Sequence, residues 1–540
     1  MSDSKLLRGT FILTAGTFFI KFLGMIYTFP FFALVGTQGS ALYNYGYVPY
    51  TLFISIATAG VPLAVAKFVS KYNAIEEYET SRRLFHASQL LLICTGFLAF
   101  LVLYCIAPII APLMLPKDTH GNSVEDVVGV IRIVSTALIF VPSQSLYRGF
   151  FQGHQSMGPT TVSQLFEQVV RIVFTLVGSY LILKVFGGTI TQAIGLSTFA
   201  ATLGAIGGLL ILFWYWKKRK THLDELLPKS KGNIHPTNKE MFKELFSYSI
   251  PYVFVGLAIP LYQLIDQFTY NRTMESIGLK EIAESTYVMF SFTSHKLVMI
   301  PVSLATAFGL TLVPAITEAF VNKNEKKLHS QITQTYQVVF FLTLPAVVGI
   351  SVLAEPMYSA FYEKSQLGGI ILGFYAPVAL LYSLFTVNVA ILQGLDRQRY
   401  AIKGLIYGVI IKIALNVPLI YLLQTKGAIL ATALGYMFSI GYNFYYIKKY
   451  ANFSFNRVLR RILFMIILSA IMAGAVFIVE QFLGIWFTYN DGRLVSMILV
   501  LIGAAVGAVV YLGVAYKLNL FEIILGTRLT NRLFKRVKRG

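Results

Sequence analysis

Fourteen stretches of this 540-residue chain are apolar for long enough to cross a bilayer as helices, which takes about 17–25 residues. They fall at 9–35, 41–69, 84–110, 126–149, 160–185, 189–215, 244–271, 282–318, 333–358, 367–392, 400–423, 427–447, 461–486 and 494–516. A backbone in hydrocarbon satisfies its hydrogen bonds only as a helix or a closed barrel, and segments of this length select the helix. The expected fold is therefore an all-α polytopic membrane protein. Only 13% of the residues are charged, against about 25% in soluble domains. No connecting segment exceeds about 30 residues, so a separate soluble catalytic domain is not expected. Lys5 and Arg8 precede the first apolar run as in a signal peptide, but that run continues to about Val35 without a small-x-small cleavage site, so it reads as a retained span.

The net charge of +21 raises the question of nucleic acid, and its distribution answers it. With the N-terminus in the cytoplasm, 33 Lys and Arg fall in cytoplasmic segments, 7 fall outside, and five lie within spans. Such a bias is the positive-inside pattern, with both termini cytoplasmic. The excess cations then meet anionic lipid, not nucleic acid.

The chain also repeats. QSLYRGFFQGHQSMGPTTVSQLFEQVVR, from Gln144, is echoed by NVAILQGLDRQRYAIKGLIYGVIIK, from Asn388. Gln152-Gly153 pairs with Gln393-Gly394 at a spacing of 241, and Arg171-Ile172 pairs with Lys412-Ile413 at the same spacing. The offset is six spans, an even number, so the two halves share one orientation, an arrangement found in transporters. The expected organisation is a six-helix bundle over 1–216, a basic linker over 217–243 and a second bundle over 244–447. Two extra spans over 448–516 and a basic tail over 517–540 complete it. Pro62 and Pro301 lie inside the two overlong spans and predict kinks.

A Lys or Arg at mid-bilayer costs about 2.5–3.5 kcal/mol on insertion scales, so each of the five needs a partner or a watery cavity. Lys21 shares a helical face with Thr14, Thr17, Gly24 and Thr28, a polar stripe whose alternative is snorkelling to the interface. Arg171 shares a face with Gln164, Gln168 and Thr175, but Glu167 four residues earlier offers it a plain ion pair. Lys412 takes the equivalent place in the second half, with Asn416 four residues on. Lys296 follows His295 in the eighth span. Arg132 follows Glu125 and Asp126 and reads equally as their counter-charge. The seventh span carries Gln263, Asp266, Gln267, Tyr270 and Asn271 on one face. Asp266 is either the counter-ion of a neighbouring Lys or a site for a coupling proton or cation. The set is cationic, with few acids, and suits an anion with several oxygens such as a pyrophosphate.

Motifs for zinc proteases, phosphate-binding loops and serine hydrolases are absent, so neither an enzyme nor a metal or cofactor site is expected. Cys94 and Cys105 lie 11 residues apart in one span, roughly 16 Å along a helix, too far for a disulfide, and are read as packing residues.

TFFIKFLGMIYTFP, RGFFQGHQSMGPT with QLFEQVVR, and HKLVMIPVSLATAFGLTLVPAI resemble the lipid-linked oligosaccharide flippases of the multidrug/oligosaccharidyl-lipid/polysaccharide exporter superfamily. The resemblance extends over essentially the whole chain and is nearest to the MurJ-type lipid II flippases of Firmicutes. It implies a V-shaped pair of bundles that opens alternately to either side of the plasma membrane. The cargo implied is undecaprenyl-pyrophosphate-linked disaccharide-pentapeptide. Cavity cations would hold its pyrophosphate, and a groove involving the two extra spans would hold its lipid tail. By this resemblance Lys21 and Lys296 match family arginines, whereas Tyr27 and a position near Ile54 stand where two others are found. Arg171 and Lys412 would replace those two, with Arg132 as a further ligand and Asp266, Asn416 and Glu167 as coupling or counter-ion residues. Some relatives hold sodium between spans seven, eleven and twelve, a role that Asp266 would suit. Lys412, however, stands where an amide ligand is expected, so its ammonium would take the ion's place. A monomer is expected. Rival readings are a flippase for another lipid-linked glycan, and a cation or multidrug antiporter, which would need acids in its cavity. A glycan polymerase would need an acid on a sizeable outer loop.

Overall fold

The computed structural model describes Gly16, Phe19, Ile20, residues 22–58, 60–115, 121–232 and 236–518, and Leu520. Lys21 and the basic tail from residue 521 lie outside the described residues. The described residues form eighteen α-helices and no strand. Ten helical runs are long and apolar enough to cross a membrane, the first being Phe22–Ala74, which contains most of expected spans one and two. The chain divides into two compact units, Met1–Val288 and Met289–Gly540.

The first unit holds α1 (Thr28–Thr58), α2 (Val61–Ala74), α3 (Tyr78–Met114), α4 (Val124–Ser135), α5 (Val141–Gly153), α6 (Gly158–Tyr180), α7 (Ile190–Asp224), α8 (Asn238–Ser276) and α9 (Lys280–Val288). Gly36, at φ 65° and ψ −164°, separates the first span from the second. The kink expected at Pro62 is a full break at Gly60, whose φ is 80°. A Cβ there would lie 2.7 Å from Ser249 O, so only glycine fits on both counts. Pro62 then opens α2 in the first turn, where its missing N–H costs nothing. A core of Phe85, Tyr147, Phe150 and Trp216 ties α3, α5 and α7, with Phe85 stacked on Trp216 at 4.6 Å.

The basic linker is mostly structured. Helix α7 continues to Asp224, α8 begins at Asn238, and Arg82 of α3 bonds Asp224 at 3.0 Å. Compactness divides the chain well after that linker because α8 is fastened to the first unit. Its Gln267 donates to Tyr45 O at 2.9 Å, and its Asn271 donates to Tyr45 Oη at 2.7 Å and Met114 O at 2.9 Å.

The second unit holds α10 (His295–Val321), α11 (Glu325–Val352), α12 (Ala354–Phe361), α13 (Gln366–Tyr375), α14 (Val378–Gly394), α15 (Gln398–Leu423), α16 (Thr425–Ala451), α17 (Asn456–Gly484) and α18 (Arg493–Lys517). In expected span eight the irregular stretch is the π-helical Met289–Ser294, upstream of Pro301. The two extra spans, α17 and α18, lean on α11: Arg461 donates to Gln337 Oε1 at 2.9 Å and Tyr511 to Phe341 O at 3.1 Å.

The repeat survives at the level of single hydrogen bonds. After Gly153 the chain closes with Gln155 N on Gln152 O at 2.9 Å, and after Gly394 with Asp396 N on Gln393 O at 3.0 Å. Gln155 and Asp396 have φ of 55° and 54°, again 241 residues apart. Both glycines are contact points. A Cβ on Gly153 would lie 2.6 Å from Val69 of α2, and one on Gly394 would lie 2.7 Å from Ile316 of α10. Gly153→Val and Gly394→Val are expected each to cost at least about 1–3 kcal/mol, as overpacking does. Thermal unfolding in detergent measures this, and unchanged melting would refute the close contact.

Cys94 and Cys105 are free, but they are exposed on α3, not packed. Eleven residues is three helical turns, so both occupy one face, and that face is the outward one.

Candidate functional site

In the first unit the cation carried by the repeat is surrounded by phenols. Tyr43, Tyr47 and Tyr50 recur at helical spacing along α1, and Tyr27 sits in the turn before it. Arg171 of α6 donates through Nη2 to Tyr43 Oη at 3.2 Å. Its guanidinium also lies 5.0 Å from the centre of the Tyr47 ring. Tyr43 stacks on Tyr47 at 5.3 Å, and its hydroxyl is 3.3 Å from that of Tyr27. The guanidinium is thus held by ring faces and hydroxyls, which orient a cation without neutralising it.

The ion pair expected between Glu167 and Arg171 does not form. Glu167 Oε2 accepts from Arg148 Nη2 of α5 at 2.6 Å, and Arg148 also donates to Ser163 at 3.2 Å. Glu167 and Arg171, one turn apart on α6, thus have different partners. Arg148 takes the carboxylate, and Arg171 takes the tyrosines. Glu167→Gln is expected to destabilise the first unit by about 3–5 kcal/mol, the cost of leaving a largely buried charge unpaired. A thermal melt of the variant checks it, and a shift no larger than that of a surface Glu→Gln control would contradict the assignment.

Gly24 of the first span comes close to α6 beside this cluster, a Cβ there lying 3.1 Å from Gln168 Nε2. Arg132 is placed elsewhere. Its Nε lies 3.5 Å from Tyr104 O, and its guanidinium lies 4.7 Å from the Tyr104 ring on α3. Nor does Asp126 serve as its counter-charge, because that carboxylate closes the capping box of α4 with Ser123. Asp266 is buried at 3% exposure on α8, beside the Gln267 that reaches Tyr45.

In the second unit Lys296 is half-buried on α10, with Nζ 5.9 Å from the Phe292 ring. Its neighbour His295 is buried, with Nδ1 2.9 Å from Tyr375 Oη, which is 3.0 Å from Tyr382 Oη. Lys412 is 0% exposed, its Nζ donating to Ala428 O at 2.9 Å and Thr432 Oγ1 at 2.8 Å on α16. Asn416 is buried one turn on. The two repeat-equivalent cations therefore differ. Arg171 is half-buried among phenols, whereas Lys412 is closed between α15 and α16 and presents no charge to open space in this conformation.

An apolar groove of about 470 Å³ runs along the same unit between α10, α11, α12, α17 and α18. Leu297, Pro301, Phe341, Val476 and Tyr511 are among its walls. Leu297 follows Lys296 directly, so one helix carries both a cation and a groove wall.

With this geometry in place, comparison with known proteins is decisive. The model of the polysaccharide biosynthesis protein family matches residues 6–320. The lipid II flippase MurJ of Bacillus subtilis (strain 168) is 53% identical over 532 residues, 98% of either chain. The chain belongs to the MurJ-type lipid II flippase family. Among solved structures, a lipid II flippase MurJ in an inward closed conformation superposes with a TM-score of 0.67 at 16% identity, over 94% of this chain and 99% of that one. An inward-facing MATE family multidrug resistance transporter superposes with a TM-score of 0.62 at 16% identity, over 80% and 94%. At such identities the structural likeness establishes the fold, an all-α, multi-pass membrane architecture shared by MurJ-type flippases and MATE transporters.

The sequence reading missed the tyrosines around Arg171, although Tyr43, Tyr47 and Tyr50 at helical spacing were a visible signal. It also missed Arg148 as the partner of Glu167, for which no local signal exists, since the two are 19 residues apart on different helices.

Proposed function

We propose that this protein carries lipid II from the inner to the outer leaflet of the bacterial plasma membrane by alternating access, and that it transports without catalysing a reaction. The observation that carries the reading is Arg171, a cation within a span that is served by phenols while the nearest carboxylate is bound to Arg148. Such a guanidinium offers N–H donors to a pyrophosphate and would repel the lipophilic cations that an antiporter handles. Lys296 and Lys21 act with it, and Tyr27 orients Tyr43. Lys412 and Asn416 serve as scaffold, Arg132 lies at the edge, and Asp266 is a counter-ion. The groove beside Lys296 takes the polyprenyl tail, whose burial supplies about 25 cal/mol per Å². Alternation requires the two states to bind the anion unequally, since a ligand shifts an equilibrium only by its differential affinity. With both termini cytoplasmic, an inside-negative potential favours export of the anion at about 2.3 kcal/mol per charge per 100 mV.

The test is lipid II exposure at the outer surface of cells before and after rapid depletion of this protein, with paralogues deleted. Loss of exposure with inner accumulation is expected. Unchanged exposure would move the cargo to another undecaprenyl-linked glycan. Lys296→Ala is expected to abolish exposure at normal protein level. Ala504→Trp, which fills the groove, is expected to lower it at least tenfold while the protein remains folded. Full activity of Ala504→Trp would remove the groove from the tail's path.

A further inference from the structure

A polar pocket of the second unit shares no lining residue with the apolar groove. It has a volume of about 460 Å³ and is formed by the turn into α15 and the end of α16. Arg397, Arg399 and Lys403 line it together with Tyr400 and Tyr450, and Asp396 contributes the one carboxylate. Among the described residues no ion pair includes any of these three cations. Asp396 meets Arg397 only through its backbone carbonyl, which accepts from Nη1 at 3.2 Å. The floor is rigid, because Tyr400 stacks on Tyr446 at 3.9 Å and Arg397 lies 4.8 Å from the Tyr450 ring. Three cations over a fixed aromatic floor make a receptor for a phosphate.

What lies along the helix from the pocket identifies the phosphate's bearer. Arg399, Lys403, Ile406, Ile410, Ile413 and Val417 recur at alternating spacings of four and three, which places them on one face of α15. The four apolar members are exposed, by 43%, 54%, 58% and 44%. The stripe therefore begins with two cations at the pocket and continues as bare hydrocarbon surface through the depth of the span. A free phosphate or a nucleotide would use only the first part. A molecule with a charged head and fatty chains uses both.

We propose that this pocket and stripe form a binding site for an anionic membrane phospholipid, its phosphate between Arg397, Arg399 and Lys403 and its acyl chains along Ile406 to Val417. The site is separate from the transport path and does not depend on the identity of the cargo. Calorimetry on the purified full chain in detergent tests it, with dihexanoyl phosphatidylglycerol, dihexanoyl phosphatidylcholine and inorganic phosphate as probes. Phosphatidylglycerol is expected to bind at least tenfold more tightly than phosphatidylcholine and to resist displacement by phosphate. The triple variant Arg397→Ala, Arg399→Ala, Lys403→Ala is expected to weaken it about fivefold for each cation removed. A Lys217→Gln, Lys218→Gln, Lys220→Gln variant, altered in another exposed basic segment, is expected to bind as the parent does. Equal binding of the two lipids overturns the proposal, as does equal loss in both triple variants. Ready displacement by phosphate would assign the pocket to a soluble anion and overturn the lipid.

Discussion

Arg171→Ala is expected to abolish outer-surface lipid II exposure while leaving the protein in the membrane at its normal level. The expectation follows from what holds the guanidinium. Its partners are the Tyr43 hydroxyl at 3.2 Å and the Tyr47 ring at 5.0 Å, neither of which is left as an unpaired charge when the arginine goes. The structural cost is therefore small, and the functional cost is the loss of hydrogen bonds to an anion. Bonds to charged groups are worth about 1.5–3 kcal/mol, which is tenfold to a hundredfold in affinity. Arg171→Lys keeps the charge but not the planar fork, and is expected to retain partial activity. Tyr43→Phe removes only the hydroxyl that orients the fork and is expected to cost less than Arg171→Ala. The measurement pairs surface lipid II labelling with protein quantification in a depletion strain. If Arg171→Ala melts at a lower temperature yet exposes lipid II normally, the residue is scaffold and the pyrophosphate assignment is wrong.

Thr432→Val is expected to have the opposite signature, a loss of stability. Lys412 is wholly enclosed between α15 and α16, and the Thr432 hydroxyl accepts from it there, at 2.8 Å. Removing that hydroxyl while keeping the ammonium leaves a buried N–H without its acceptor, at a cost of about 1.5–3 kcal/mol. Replacing both partners in Lys412→Met with Thr432→Val removes the desolvation penalty together with the bonds and is expected to recover most of the loss. Thermal unfolding of the two single variants and the double variant in detergent gives the coupling directly. Equal stability of Thr432→Val and the double variant would mean that the ammonium does not depend on that hydroxyl. Surface exposure of lipid II by Lys412→Met then separates scaffold from ligand, since a ligand's loss would stop transport in a well-folded protein.

These two residues also show how far the sequence reaches. The spacing of 241 makes Arg171 and Lys412 equivalent in the sequence, and the turns at Gln155 and Asp396 match at the same spacing. Equivalence of position did not bring equivalence of environment. The α1 facing Arg171 carries tyrosines, whereas the α16 facing Lys412 carries a carbonyl and a threonine. Glu167 illustrates the same limit. Its spacing of four from Arg171 is the best local argument for an ion pair, yet Arg148 from the neighbouring helix takes the carboxylate. A pair four apart on a helix gains only about 0.2–0.5 kcal/mol, so a better placed partner on another helix wins.

The sequence by itself determined the all-α, multi-pass membrane class and the matching turns after Gly153 and Gly394. Each follows from local chemistry: a hydrocarbon solvent admits only self-satisfied helices, and a copied segment keeps its turns. It also showed which expected span carries each cation. The tertiary structure alone decided which cation is neutralised, which is sealed and which is left to phenols. It alone fastened α8 to the first unit through Tyr45 and turned the two extra spans into one wall of an apolar groove. Those outcomes depend on contacts between helices far apart in the chain. Their energies are differences between competing partners, and no window of neighbouring residues contains all the competitors.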